Sequence, residues 1–496
     1  MFVDGSVVNV ALPALADDLD ATLAQQQWTV AAFLLMLGSL VLVGGSLGDL
    51  YGRRLVFGLG TAGFGVASLL CAVAPSAGTL IAARAVQGVA GALLVPSSLA
   101  IITAIYEGEA RGRAIGIWTA GTSAAIALGP PLGGLLVDLA SWRWIFLINV
   151  PLVVAALGIT VRAMPALPGD RTRRVDLLGG VLCAFGLAGP VLALIEQPAR
   201  GWGDAFVWAP LAGGFAMLAL FMLHERRAPD PMLPLVLFRS RSFSVANAST
   251  LSIYAGLGSA TFFLAIFLQQ VAGYSALAGG AALLPISALL ILLSGRFGAM
   301  TERFGPRLLM SAGPLVAAAG LLLALRVDAH GHYIADVFPA VVVFGLGLAM
   351  TVTPLTATVL AGAPQALAGT ASGVNNAVAR IAGLLAIAVV GAVVAGGFAN
   401  GLDERLRGVS LDAQARSVVA DAKARTFDPV AVPAGNAVAA RLESAQRAAA
   451  VSAFHRGMLV SALLVAAGGL LSLVLLPGGG RGVAAGAGVA IQRPRR

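Results

Sequence analysis

Long apolar runs alternate with short polar connections along almost the whole chain. Thirteen runs between Trp28 and Leu476 each hold close to the number of apolar residues, about 20, that a helix needs to cross a bilayer core of about 30 Å. A shorter apolar run, Phe2–Ala16, precedes them. The pattern therefore predicts an all-α integral membrane protein with fourteen transmembrane helices, counting the short first run.

Composition supports a membrane protein and argues against a nucleic-acid partner. Of the 496 residues, 58% are hydrophobic and 11% are charged, and the mean hydropathy is +0.90. A soluble domain carries about 25% charged residues. The net charge of +9 comes from arginines grouped in alternate connections, which is the pattern of cytoplasmic loops. We therefore expect the lipid bilayer as the partner, a location in the cell (inner) membrane, and two cytoplasmic termini.

A repeated motif divides the chain into two related halves. "GSLGDLYGRR" places Gly45, Asp49, Gly52, Arg53 and Arg54 in a spacing that "GAMTERFGPR" repeats 253 residues later with Gly298, Glu302, Gly305 and Arg307. Parallel repeats of this kind build one large class of transporters. We predict a six-span bundle over residues 1–163, two inserted spans with linkers over 164–243, and a second six-span bundle over 244–476. The second bundle includes an external loop over 399–455, and a disordered cytoplasmic tail follows over 477–496.

The sequence carries no pattern that indicates an enzyme or a bound cofactor. A nucleotide-binding loop needs a glycine-rich stretch that ends in lysine, and the chain's one lysine, Lys423, has no such stretch before it. No nucleophile–base arrangement, carboxylate pair or metal-ligand spacing stands out. An ion gradient is the energy source that remains.

Two membrane segments contain residues that an ordinary apolar helix does not need. Arg84 lies in the middle of "IAARAVQGVAGALLVP", although a charge at mid-membrane is costly and by default functional. In a later run, Gly121, Gly129 and Gly133 recur on one helix face, which permits close approach of another helix. Pro130 and Pro131 interrupt that stripe and remove two backbone donors.

These motifs resemble the Major Facilitator Superfamily. "GSLGDLYGRR" is similar to its loop motif and "LIAARAVQGVAGA" to its fourth-span arginine motif, while "GTSAAIALGPPLGGLL" is similar to the fifth-span motif of its antiporters. "DGSVVNVALP", "SWRWIFLINVP" and "FLQQVAGYSALAGGAALLP" resemble the fourteen-span drug:proton antiporter branch, the EmrB/QacA type. The implied fold is two six-helix bundles with two inserted central spans. One difference is Leu50, where the loop motif often has a basic residue.

The resemblance implies roles for the residues that match the motifs. The resemblance assigns proton coupling to Arg84, Asp4 and Gln87. In this hypothesis Arg84 holds or biases Asp4, which takes up and releases the proton. The alternative is that Arg84 only stabilises the helix bundle. The antiporter motif comprises Gly121, Gly129, Pro130, Pro131, Gly133 and Gly134. Asp49 and Arg53 are expected to form a gating salt bridge on the inner side, with Gly298, Glu302, Gly305 and Arg307 as the second-half copy.

We therefore expect a monomeric proton-coupled antiporter that exports small hydrophobic or amphipathic toxic compounds. Because Asp4 is the one acid well inside the predicted spans, we expect neutral or monovalent substrates rather than dications. A nutrient or metabolite symporter of the same superfamily and a non-transporting membrane sensor are the alternatives. The run Phe2–Ala16 spans about 22 Å as a helix, short of the bilayer core, so we expect a start codon upstream of Met1.

Overall fold

The computed structural model describes residues 2–165, 168–170, 172, 174–428, 430 and 438–477. Every regular element in these residues is helical, which confirms the all-α prediction. The predicted tail over 477–496 lies outside the described residues except for its first position.

The first half of the chain forms seven helices before the first long linker. They are α1 (Phe2–Leu19), α2 (Leu23–Tyr51), α3 (Arg53–Ala72), α4 (Ala77–Ile105), α5 (Gly108–Leu139), α6 (Trp144–Leu147) and α7 (Asn149–Ala163). The predicted boundary at residue 163 coincides with the end of α7.

The remaining helices comprise a central pair and the second half. The central pair is α8 (Leu177–Arg200) and α9 (Ala205–Glu225). The second half contains α10 (Arg241–Gln270), α11 (Ala276–Ala282), α12 (Leu284–Phe304), α13 (Pro306–Leu323), α14 (Phe338–Ala361), α15 (Ala368–Arg405), α16 (Ala413–Arg425) and α17 (Ala439–Leu475). A π-helical turn, Tyr333–Val337, leads into α14. The predicted boundary at residue 243 falls inside α10, because Ser240 caps the helix and starts it at Arg241.

Twelve helical segments in the described part of the chain are long and apolar enough to cross a membrane. They are α2, α3, α4, α6 with α7, α8, α9, α10, α11 with α12, α13, α14, α15 and α17. The sequence predicted fourteen, and the difference lies in α1 and α5. Three aspartates, at positions 4, 17 and 18, reduce the hydropathy of α1, and among the residues whose side chains the structure describes, α5 contributes a shorter apolar segment, Ala124–Leu139.

Glycine marks the same turn in each half of the molecule. Gly52 separates α2 from α3 with φ +100°, and Gly305 separates α12 from α13 with φ +79°. A side chain strains the backbone at such angles, so each turn requires glycine. The repeat read from the sequence is therefore also a repeat of backbone geometry.

The two halves meet along two helix pairs. At the first, the α2 face formed by Leu34, Gly38 and Leu42 packs on α15; a Cβ placed on Gly38 would lie 3.3 Å from Cβ of Arg380. At the second, α5 packs on α11, and Oδ1 and Oδ2 of Asp138 accept hydrogen bonds from the backbone N–H groups of Ala276 (3.1 Å) and Leu277 (2.9 Å). We call the end of the bundle that holds the α1–α2 turn at Asp20 the Asp20 end, and the opposite end, with Gly52, the Arg53 end.

The segment predicted as an external loop, 399–455, is largely helical in its described residues. α15 continues to Arg405, α17 begins at Ala439, and α16 lies between them. The apolar runs in the sequence do not extend as far as Arg405 or Ala439. α15 and α17 nevertheless continue to these residues because their inner faces stay packed. Phe427, which follows α16, is fully buried against Phe263 and Phe267 of α10.

The same segment connects the second half to the first at the Asp20 end. Nη2 of Arg425 lies 3.0 Å from Oδ1 of Asp20, and Nη1 lies 3.1 Å from Oδ2 of Asp428. Asp20 and Thr426 have φ of +50° and +62°, and they are the non-glycine residues with positive φ in the described chain. The Asp20 end is therefore closed by contacts between the halves.

Candidate functional site

Arg84 lies in the first half of α4, which begins after a capping box between Ser76 and Thr79. The arginine is 1% exposed. Its Nη1 donates to Oδ2 of Asp4 on α1 at 2.7 Å, and its Nε donates to the backbone oxygen of Thr29 on α2 at 3.1 Å. The guanidinium thus holds three helices together through one ion pair and one carbonyl.

Gln87 lies one turn after Arg84 and completes the contact with Asp4. Nη1 of Arg84 donates to Oε1 of Gln87 at 2.6 Å, and Nε2 of Gln87 donates to Oδ1 of Asp4 at 3.1 Å. The three residues predicted to couple protons therefore form one buried cluster. The structure brings them together, and their role in coupling stays a prediction.

Two residues that the sequence analysis did not select belong to the same cluster. Nδ2 of Asn149, at the start of α7, donates to Oδ1 of Asp4 (3.1 Å) and to Oγ of Ser68 on α3 (3.4 Å). Nε2 of Gln87 donates to the same Ser68 oxygen at 2.9 Å. The stretch "SWRWIFLINVP" was recognised only as a family resemblance, and its single amide within an apolar run was the available signal.

Aromatic rings cover the guanidinium. Cζ of Arg84 lies 4.2 Å from the ring centroid of Phe33 and 5.8 Å from that of Phe146, and both rings are buried. A cation over an aromatic face gains electrostatic stabilisation that increases when water is excluded. The rings therefore cover the guanidinium where its polar partners do not contact it.

The contacts of Asp4 define what the cluster does chemically. Its carboxylate accepts from Arg84, Gln87 and Asn149. All three are donors, and they come from α4 and α7. The cluster thus binds α1 to two other helices through a single carboxylate.

The glycine stripe of α5 packs against α1. A Cβ on Gly133 would lie 2.8 Å from Cγ1 of Val7, and one on Gly129 would overlap Oγ of Ser6. Gly121 differs, since nothing lies within 4 Å of its Cβ position. The predicted close approach therefore applies to the Gly129–Gly133 part of the motif.

The opposite side of the same motif faces the second half. A Cβ on Gly134 would overlap the backbone of Ala276, and one on Gly280 would overlap the carbonyl of Pro130. Pro131 follows directly in the same contact. The motif thus packs α5 on α1 within one half and on α11 across the seam.

The first gating-loop motif contacts α4 of the first half and the linker after α7, where the N–H of Asp170 donates to the backbone oxygen of Asp49 at 2.8 Å. Nη2 of Arg53 lies 3.1 Å from Oδ1 of Asp49, and its Nη1 donates to the backbone oxygen of Ala100 on α4 at 2.8 Å. A Cβ on Gly45 would lie 3.5 Å from Cβ of Pro96 on α4. The predicted Asp49–Arg53 salt bridge is present. The predicted connection between the halves stays a prediction.

Arginines of the two motif copies make equivalent contacts. Nη2 of Arg54 donates to the backbone oxygen of Val161 on α7, and Nε of Arg307 donates to that of Leu473 on α17, both at 2.8 Å. Each bond ties the third span of a half to its last. A Cβ on Gly298 would lie 3.0 Å from Cγ2 of Thr353. The side chain of Glu302 lies outside what the structure describes.

Comparison with known proteins identifies the family. The profile described as Major Facilitator Superfamily matches residues 1–387. The chain belongs to this superfamily. It is 33% identical over 484 residues to the multidrug resistance protein Stp of Mycobacterium tuberculosis (strain CDC 1551 / Oshkosh), covering 96% of this chain and 89% of that protein. It is 35% identical over 399 residues to the tetracenomycin C resistance and export protein of Streptomyces glaucescens, covering 79% and 73%.

A solved structure supports the major facilitator fold. A bacterial homolog of the human lysosomal transporter Spinster, in an inward-facing and unoccupied conformation, superposes with a TM-score of 0.64. The alignment covers 96% of this chain and 93% of that chain at 18% identity. The predicted superfamily and its helical fold are confirmed.

Proposed function

We propose that this major facilitator is a proton-coupled antiporter that exports small hydrophobic or amphipathic toxic compounds. The observation that carries the proposal is the buried Asp4–Arg84 pair, whose side chains are 0% and 1% exposed. A charge pair buried in a membrane protein is costly and marks proton or substrate pathways. The two relatives, a multidrug resistance protein and a resistance and export protein, support compounds of this class as substrates.

The coupling follows from the contacts of Asp4. A proton that enters from the Asp20 end neutralises Asp4 and releases it from Arg84, Gln87 and Asn149. α1 and the Gly129–Gly133 face of α5 then shift together, because these helices are in close contact. Loss of the proton at the Arg53 end re-forms the ion pair. Arg84 stays charged throughout, so it biases the carboxyl group and does not itself carry the proton.

We assign the Asp20 end to the outside of the cell (inner) membrane and both termini to the cytoplasm. Arg53, Arg54 and Arg307 lie at the Arg53 end, and clusters of arginine favour the cytoplasmic side. The Asp138 and Arg425 contacts close the outer end in this conformation. We propose that the Asp49–Arg53 pair contributes to the contact between the halves when the inner end closes.

We further propose the fourteen-span drug:proton antiporter branch, with the protein acting as a monomer. α1 and α5 join the twelve apolar segments because both contribute to the buried packing around Asp4 and Gly133. α8 and α9 then form the inserted pair between six-span halves. The close contacts of Gly134 and Pro130 favour the antiporter over the symporter alternative, and the family favours transport over a non-transporting sensor.

Transport by purified protein in proteoliposomes tests the proposal. Ethidium, a monovalent hydrophobic cation, and puromycin are the probes, and the imposed pH gradient is acid on the side equivalent to the outside. We expect the gradient to drive the probe against its concentration gradient and probe flux to carry protons in the opposite direction. Accumulation that follows a sodium gradient instead, or movement of proton and probe in the same direction, would contradict antiport with protons.

A further inference from the structure

A second arginine lies inside the membrane, and its surroundings differ from those of Arg84. Arg380 is on α15, roughly 18 Å from the start of that helix at 1.5 Å per residue. Its Cβ lies beside Gly38, near the middle of α2. The packing of Leu34 near Gly383 and of Leu42 near Gly373 fixes this register. Arg380 is therefore at mid-depth, on the seam between the two halves.

Arg380 has neither a hydrogen bond nor an ion pair with any described residue, whereas Arg84 has an ion pair and two further hydrogen bonds. The part of the chain that the structure describes places no unengaged carboxylate at this depth. Asp4 is engaged by Arg84, and every other acid of the membrane helices lies within about five residues of a helix end. An arginine in a membrane segment normally pairs with an opposite charge. Arg380 is therefore available to pair with a bound molecule that brings an opposite charge.

Polar neighbours continue the site along α10 and α15. Asn376 is exposed and lies four residues before Arg380, so the two share one helix face. Nδ2 of Asn375 donates to Oδ1 of Asn247 (3.2 Å) and to Oγ1 of Thr250 (2.7 Å), both on α10. Tyr254, one turn further along α10, packs against the buried cluster that includes Ala382 of α15.

The position of α15 indicates that this polar face is open to the interior rather than to lipid. α15 is in contact with α2, α8, α10 and α17, so neighbouring helices surround most of it. An exposed asparagine beside a half-buried arginine fits a water-filled cavity. Apolar Leu34 and Leu42 flank the same seam.

We propose that Arg380 binds an acidic group, a carboxylate or a comparable monovalent anion, of an amphipathic substrate. The guanidinium offers a planar fork of donors that matches a carboxylate, Asn376 and Tyr254 add polar contacts, and the leucines of α2 contact the apolar part. This assignment rests on the proposed export function, and it names the substrate class within it. A monovalent acid would supply the counter-charge that Arg380 lacks among the described residues. It also agrees with the expectation that a membrane region with one inward acid, Asp4, does not favour dications.

Ligand binding to the full-length protein in lipid nanodiscs tests the assignment separately from transport. The probes are fusidate, nalidixate and 1-pyrenebutyrate, each beside its methyl ester, in sodium gluconate buffer. Binding is measured as the shift in thermal unfolding followed by tryptophan fluorescence. We expect at least one acid to bind at least tenfold more tightly than its ester. We expect Arg380→Gln to remove that preference and Arg380→Lys to retain part of it, while Arg441→Gln, in the exposed outer part of α17, leaves it unchanged.

Each result decides the proposal. If no acid binds more tightly than its ester to the wild-type protein, the assignment is wrong, whether or not Arg380→Gln folds. If sodium chloride, unlike sodium gluconate, itself gives the Arg380-dependent shift, a chloride ion is the counter-charge and the substrate assignment is wrong. If the acids bind as expected but nothing is exported in proteoliposomes, the site stands and the proposed export function fails.

Discussion

Nη1 of Arg84 lies 2.7 Å from Oδ2 of Asp4, although 80 residues separate them in the chain. Both side chains are buried. The ion pair joins α1 to α4 and, through Gln87 and Asn149, to α3 and α7. The packing of α1 against these helices therefore centres on one buried carboxylate.

Substitutions of Asp4 and Arg84 should impair proton-driven export without preventing the protein from folding. Asp4→Asn keeps the shape but not the charge, so we expect a loss of proton-driven export of at least a hundredfold with normal membrane abundance. Arg84→Ala should also abolish coupled export, because Asp4 then takes up a proton and stays neutral. Arg84→Lys should restore part of the activity, since ammonium lacks the guanidinium fork. The measurement is pH-gradient-driven transport in proteoliposomes. Arg200→Ala, at the exposed end of α8, serves as the control.

Normal export by Arg84→Ala from a well-folded state would show that Arg84 only braces the bundle. Removal of one member of a buried pair costs about 3–5 kcal/mol when the other stays charged. A thermal unfolding curve of each variant therefore accompanies the transport measurement.

The effect of a substitution in the glycine motif on transport and stability should depend on which face of α5 the new side chain occupies. Gly134→Val places a side chain against the backbone of Ala276 across the seam, so we expect loss of outer-end closure and a destabilisation of about 1–3 kcal/mol from overpacking. Gly121→Val meets nothing within 4 Å and should transport at near wild-type rate. Transport and unfolding temperature are measured for both. Equal defects in the two variants would refute the assignment of the motif to the seam.

The ion pair between Arg425 and Asp20 should favour the conformation with a closed outer end. Its members are 32% and 86% exposed, so the pair contributes about 0.5–1 kcal/mol at most. Arg425→Ala should therefore raise the open population by about two- to fivefold. The measurement is the spin-label distance between cysteines at Leu139 and Leu277, with Cys71 and Cys183 replaced by alanine. Arg416→Ala, also exposed on α16, should leave the distance distribution unchanged.

A pH-dependent contact is expected where the linkers meet α8. Asp176 caps α8 by accepting from the Gly179 N–H at 2.8 Å, and its Oδ1 lies 2.7 Å from Nε2 of His224. Burial acts to raise the pKa of Asp176, but the hydrogen bonds with Gly179 and His224 hold the pKa below its ordinary value of 3.8. A lowered pKa in the folded state means that Asp176 stabilises the protein above pH 3.8. This contribution is lost as the pH falls through the folded-state pKa.

The unfolding temperature between pH 6 and pH 3 measures this contribution. Wild-type protein should lose more stability at the acid end than Asp176→Asn, which keeps a side-chain acceptor for the cap but no charge for His224. Parallel curves for the two proteins would show that Asp176 does not contribute through its charge.

The sequence alone determined the all-helical membrane fold and its two-fold repeat, and it selected Arg84 as a candidate site residue. Apolar length acts locally, so each of the twelve membrane-length segments found in the described residues could be predicted from its own sequence. Gly52 and Gly305 could be recognised as equivalent because a tight turn with positive φ requires glycine wherever it occurs. The sequence also selected Asp4 and Gln87 as partners of Arg84, through the resemblance of their motifs.

The tertiary structure decided which residues share a site. Asn149 and Ser68 join Asp4 only because α3 and α7 pack beside α1 and α4, and no periodicity within either helix records that contact. Arg380 lies in an apolar run, as Arg84 does, but the sequence analysis did not select it; its position opposite Gly38, with no counter-charge among the described residues, appears only when α2 and α15 meet. The helical content of 399–455 depends on burial of residues such as Phe427 against α10. Hydrophobic pattern fixes which segments are buried, but the pairing of buried polar groups depends on distances between helices that are far apart in the chain.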